Sequence, residues 1–310
     1  VFAAGCALAF WFASLSAGAA AAATTDKPAP ASPGPKTAAS AAAAAGYNPS
    51  QEIRYGDAAA FRNLVPPAML EQQAGAAYKQ LIAAATSDKM LLPASDYRVK
   101  RVRKIAQKLI PASLKWNERA KQWHWEINVV KSARVDLLCL PGGKIVVFTG
   151  LIDRLRPNDD ELGMLIGHDI AHALREHARE KLGQLQAMQM GAGTIPQMFG
   201  MADLGASPLG IGSALLDIHY GRADETEADV IGTDIAARAG FDPRAGVTLW
   251  NRLASLKPRG KIELLQQHPF DASRIADLKR RQPDMLALYA KAIGKSVDAL
   301  PRYRMRGTGN

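Results

Sequence analysis

A change of hydrophobic period in the middle of the chain constrains its fold more than any other feature. Residues 123–130 (WHWEINVV), 135–140 (VDLLCL) and 144–150 (KIVVFTG) are short runs of β-branched and aromatic side chains, the composition of strands. Pro141-Gly142-Gly143 lies between the last two and reads as a turn. On both sides of this region the spacing is helical. Residues 68–85 (AMLEQQAGAAYKQLIAAA) and 96–110 (DYRVKRVRKIAQKLI) place apolar side chains at helical intervals with charges between them. After Leu151 helical spacing returns and persists. Residues 159–182 (DDELGMLIGHDIAHALREHAREKL) read as one uninterrupted helix, acidic in its first turn and basic toward its end, as the helix dipole favours. Residues 224–243 (DETEADVIGTDIAARAGFDP) form another, stopped by Gly240 and Pro243, and two or three more follow. The expectation is an α+β domain, predominantly helical, with a small antiparallel sheet.

The flanks carry different information. Residues 1–25 hold no charge, and an apolar core followed by Ala17-Gly18-Ala19 is the pattern of an export signal with its cleavage site. A retained membrane anchor is the alternative, since the apolar run approaches the roughly 20 residues that span a bilayer. Cys6 falls in this segment, leaving Cys139 alone downstream, so no intrachain disulfide is expected. Residues 26–50 are rich in Pro, Ala and Ser and read as a linker; 51–95 form an N-terminal helical extension and 297–310 a basic tail. Residues 187–216 are rich in Met and Gly and read either as a helical hairpin in the core or as a mobile cover over a cleft. The formal charge is +10, but Lys and Arg alternate with Asp and Glu and lack aromatic platforms, which argues against nucleic acid. An anionic membrane surface or an acidic envelope partner suits that charge better.

The chemistry concentrates in two segments. His168 and His172 are four apart, so one helical turn puts both imidazoles on one face, able to share an ion. Alone the pair is weak evidence, because such spacings arise by chance. Glu225 and Asp229 are also four apart, and a hydrolytic zinc site needs a third ligand such as a carboxylate. Glu225 then binds the metal and Asp229 accepts the free N–H of a ligating histidine. Glu227 reads as a solvated position, and His124, His177 and His219 as not binding the metal directly. His177 falls five residues past His172, which rotates it off the ligand face.

HDIAHALREHARE followed by ETEADVIG, with LPGGKIVVFTGLI upstream and HPFDASRI downstream, resembles the zinc metallopeptidase family of HtpX, the CAAX prenyl endopeptidases and the Oma protease, in its soluble periplasmic branch. The likeness runs from about Tyr97 to Leu286. It implies a zincin-like metallopeptidase domain over residues 96–296, one Zn²⁺ per chain held by His168, His172 and Glu225, and a polypeptide substrate. It implies further that Asp229 and Arg274 support the site, that extended substrate lies along the strand pair near Leu140 to Gly150, and that His268 stands near the metal. His268 then either donates to the oxyanion or occupies the open zinc position in a resting form. One residue departs from the family pattern: Asp169 stands where the family carries the Glu base. Its carboxylate suits the role but is one methylene short, about 1.5 Å, and a misplacement on the order of 1 Å costs about 100-fold in rate. The expectations are a periplasmic metalloendopeptidase impaired or specialised at Asp169, or alternatively a zinc-binding pseudoprotease or chaperone-like interaction module.

Overall fold

The computed structural model describes residues 61–191, 215–216, 218–255 and 262–303. The expected export segment and linker, and most of the Met/Gly-rich stretch, lie outside these residues. In chain order the described elements are α1 (Pro67–Ser87), α2 (Tyr97–Ser113), β1 (Glu126–Val130), β2 (Leu137–Leu140), β3 (Lys144–Phe148) and α3 (Thr149–Leu155). There follow α4 (Asp159–Leu174), α5 (His177–Gly191), α6 (Arg222–Arg238), α7 (Arg244–Ser255), α8 (Glu263–Gln267) and α9 (Ala272–Ala292).

Local chemistry sets the helix ends. Asp96 opens α2 by accepting from Arg98 N, and Asp271 opens α9 by accepting from Ser273 N and Arg274 N. At α4, Asn158 and Glu161 exchange side-chain to backbone hydrogen bonds in a capping box, and Gly240, at φ 82°, follows the end of α6. The helix expected over 159–182 is broken. It ends at Leu174, Glu176 adopts φ 56°, and α5 restarts at His177 in a new direction. A left-handed residue cannot continue a right-handed helix.

The three expected strands form one sheet in the order β1-β3-β2. β2 and β3 pair antiparallel across the Pro141 to Gly143 turn, as expected, with Cys139 opposite Ile145. β1 pairs parallel to β3, so the sheet is mixed. The reason lies in residues 131–136, which cross the end of β3 to reach its far side. Thr149 Oγ1 donates to Ser132 O at 3.0 Å, and Gly150 N donates to the same oxygen at 2.8 Å. A Cβ at Gly150 would lie 2.4 Å from the carbonyl oxygens of Ala133 and Arg134, so only glycine lets the crossing pass this close.

Both faces of the sheet are covered. Val130, Leu138, Leu140, Val146 and Phe148 pack with Leu70, Ala74 and Tyr78 of α1 and with Ala178 and Leu182 of α5. Val129, Leu137, Cys139, Ile145 and Val147 point the other way, into the main core with α2, α4, α6 and α7. Residues 90–92 close the β1 edge, Leu92 N donating to Val129 O and Lys131 N to Met90 O. The other edge is β2, and among the described residues no strand pairs with its outer side. α4 and α6 cross at two glycines: a Cβ on Gly232 would lie 2.7 Å from His168 Cα, and one on Gly167 3.0 Å from Gly232 O. That close approach positions the site.

Candidate metal centre

At the α4–α6 crossing the side chains that the two i, i+4 spacings put on facing surfaces meet. His168, His172, Glu225 and His268 are all buried, and one ligand atom from each lies within 4.8 Å of the others. His172 Nε2 is 3.1 Å from His168 Nε2 and 3.3 Å from Glu225 Oε1, and His168 Nε2 is 3.3 Å from Glu225 Oε2. His268 follows α8 and brings Nδ1 to 3.0 Å from Glu225 Oε1 and 3.3 Å from His168 Nε2. Three imidazole nitrogens and a carboxylate thus converge without enough protons to pair them all. That donor set and its closeness fit a single zinc ion.

A charged layer stands behind these groups. His168 Nδ1 lies 3.1 Å from Asp229 Oδ1, and Arg274 donates to both oxygens of Asp229 at 2.8 Å. Arg274 Nη1 is also 2.6 Å from Glu225 Oε2, but that oxygen makes no well-directed hydrogen bond, leaving its lone pairs for another cation. Trp250 lies against the Arg274 guanidinium, 4.5 Å from ring centroid to Cζ. Burial alone would raise Asp229, yet Arg274 and His168 hold it below the ordinary carboxylate range. Burial keeps His172 well below the usual imidazole range, so its ring is neutral and suited to donate a lone pair.

Asp169 is also buried and lines a different cavity from Asp229. Burial pushes its carboxyl up to about 8, His268 opposing and the charges of Asp136 and Glu225 adding to the rise. Its Oδ1 has no hydrogen-bond partner and is 3.6 Å from His268 Nε2, too far for a hydrogen bond. Asp169, His172, His268 and Tyr220 line one cleft together with Leu138, Cys139 and Leu140 of β2. The outer edge of β2 therefore runs beside the donor cluster.

One expectation for a single residue is corrected. Glu227 is not solvated: it is 1% exposed, accepts from Arg175 Nε at 2.6 Å and lies 3.0 Å from His177 Nε2. Burial raises it, but His177 and Arg175 outweigh that and hold its carboxyl down at about 2. His177 lies outside the donor cluster but directly behind it, its Nδ1 2.9 Å from His172 Nδ1. Spacing does not single out Tyr220, which stacks on His172 with ring centroids 3.9 Å apart. The GHDIAH helix motif has no signal for either neighbour, since one depends on the break at Glu176 and the other on a loop before α6.

Comparison with known proteins agrees with this geometry. The chain is 34% identical over 153 residues to the mitochondrial metalloendopeptidase OMA1 of Arabidopsis thaliana, a match covering 48% of this chain and 30% of that protein. It is 29% identical over 182 residues to the Beta-barrel assembly-enhancing protease of Yersinia pestis, covering 54% and 37%. With the Metalloprotease LoiP of Escherichia coli strain K12 it shares 25% over 199 residues, covering 62% and 73%. The matched stretch thus spans between 30% and 50% of the first four curated relatives, all OMA1 metalloendopeptidases. The sequence profile of Peptidase family M48 matches residues 96–282, from the cap of α2 into α9. Because that span is well over half of the chain and encloses every donor of the cluster, the chain belongs to Peptidase family M48.

Proposed function

We propose that the chain is a zinc metalloendopeptidase of the cell envelope that cleaves extended or misfolded polypeptides. The observation that carries this reading is the convergence of His168, His172, Glu225 and His268 beside the β2 edge, which no other strand among the described residues pairs. A zinc ion held there supplies Lewis-acid chemistry, polarising a peptide carbonyl and acidifying water. His168, His172 and Glu225 hold the ion; Asp229 fixes the orientation of His168, and Arg274 holds Asp229 and Glu225 in place. A substrate segment adds as a strand to the outer edge of β2, through backbone hydrogen bonds that demand little of its side chains. Once ionised, Asp169 would accept a proton from the attacking water and return it to the leaving amine.

Two features make the resting enzyme slow. Asp169 is one methylene shorter than Glu, so its carboxylate stands back from the reacting atoms. His268 Nδ1 stands among the donors, where it would compete with water and substrate for the ion. Alternatively, the His268 ring would serve as a hydrogen-bond donor to the oxyanion. The short carboxylate also favours a second reading, in which the chain keeps zinc to bind envelope proteins without cutting them. The apolar segment at 1–25 supports an exported, periplasmic location, and the basic excess suits an anionic envelope surface. Among the described residues no helix is long and apolar enough to cross a membrane.

Casein cleavage separates the two readings. The wild-type protein should cut slowly, lose the activity to a chelator and regain it with zinc, and Asp169→Glu should cut about 100-fold faster. A variant that binds zinc and still leaves casein intact removes the enzyme reading.

A further inference from the structure

We propose that His177 is a positioning residue that sets which nitrogen of His172 carries the proton, through a chain that runs His172, His177, Glu227, Arg175. This rests on the zinc reading above and deepens it. The two ligand histidines on α4 are supported differently. His168 turns its outer nitrogen, Nδ1, toward a carboxylate, Asp229, at 3.1 Å. His172 turns its own Nδ1 toward another imidazole, at 2.9 Å from His177 Nδ1. Two ring nitrogens that close cannot both carry a proton, so one donates and the other accepts.

The far end of the chain decides which. His177 Nε2 is 3.0 Å from Glu227 Oε2, and the other oxygen of that carboxylate accepts from Arg175 Nε at 2.6 Å. An ionised carboxylate only accepts, so His177 Nε2 donates to it. With Nε2 committed to donating, Nδ1 is the atom His177 can offer as acceptor to His172 Nδ1–H, 2.9 Å away. His172 Nε2 is thereby left with its lone pair, and this is the atom 3.3 Å from Glu225 Oε1 at the metal cluster. His172, His177 and Glu227 are each at most 2% exposed, so water does not compete for these bonds. Tyr220, stacked on His172, restrains the ring plane.

The break between α4 and α5 is what makes this geometry available. In an unbroken helix the fifth residue after His172 would lie about 140° around the axis. The left-handed turn at Glu176 returns His177 to the back of His172 instead.

The test measures zinc affinity by competition with a chromogenic chelator. His177→Phe keeps the ring volume without the hydrogen bonds and should bind zinc about 10–100-fold more weakly, with unchanged far-UV circular dichroism. His177→Gln retains an acceptor and a donor and should recover most of that loss. Wild-type affinity in His177→Phe, or no recovery in His177→Gln, overturns the proposal. Should the Phe variant not fold, ¹⁵N chemical shifts of the histidine rings in the unaltered, zinc-loaded protein decide: a bare Nδ1 on His177 supports the chain, and a protonated one overturns it. Failure of the wild-type protein to take up any zinc sinks the metallopeptidase reading as well, whereas tight zinc in His177→Phe sinks only this one.

Discussion

Arg274 is 2% exposed and neutralises two buried carboxylates at once, Asp229 through a two-pronged contact and Glu225 at 2.6 Å. Removing one partner of a buried ion pair leaves the other charge unsolvated, which costs about 3–5 kcal/mol. Arg274→Met should therefore lower the stability of the zinc-free protein by an amount of that order in urea melts. Added zinc should restore part of it, because the ion replaces some of the lost positive charge; a variant as stable as wild type would mean that water reaches these acids. The same residues show what a sequence can and cannot carry. His168 with His172, and Glu225 with Asp229, can be paired on paper because helical spacing alone puts each pair on one face. That Glu227, two residues from Glu225, also turns inward cannot, because its partners Arg175 and His177 reach it only after the helix has broken. Periodicity describes an unbroken helix, and Glu176 is one residue in a conformation that no apolar pattern encodes.

The elements meet through glycine. Gly232 sits where α6 passes the backbone of His168, so a methyl group there has nothing flexible to displace. Gly232→Ala should push α4 and α6 apart, cost about 1–3 kcal/mol as overpacking does, and weaken zinc binding, since Glu225 rides on the displaced helix. Gly75 gives the contrast: it lies inside α1, where an added Cβ would meet no atom within 4 Å, so Gly75→Ala should stabilise by about 0.5–1 kcal/mol. Thermal melts of the two variants should shift in opposite directions, and zinc titrations should weaken only in Gly232→Ala, if the crossing, and not glycine content, controls the site. The direction of β1 is hidden from the sequence for a related reason. Its composition marks a strand, but the partner edge is chosen by residues 131–136, and their path depends on the bare backbone of Gly150 against Ala133 and Arg134. A single glycine next to a strand carries no such instruction when read locally.

At the scale of the molecule, zinc and the N-terminal helix each hold together parts that the core alone does not. A ligand that binds only the folded state adds about 2.7 kcal/mol at a free concentration 100-fold above its dissociation constant. For a domain of this size, chelation should lower Tm on the order of 5–10 °C, and unchanged melting would mean the donors hold no ion. The family profile begins at residue 96, but the packing does not. Leu70, Ala74 and Tyr78 of α1 cover Leu138, Leu140, Val146 and Phe148, and residues 90–92 close the β1 edge. Removing everything before residue 96 leaves every proposed zinc ligand in place while exposing an apolar sheet face and a second open edge, the combination that drives strands to associate. A chain starting at residue 96 should therefore aggregate or bind a hydrophobic dye strongly, whereas one starting near residue 61 should stay monodisperse and keep its zinc. A soluble, cooperatively melting chain from residue 96 would show that α1 is an appendage to the peptidase and no part of its core.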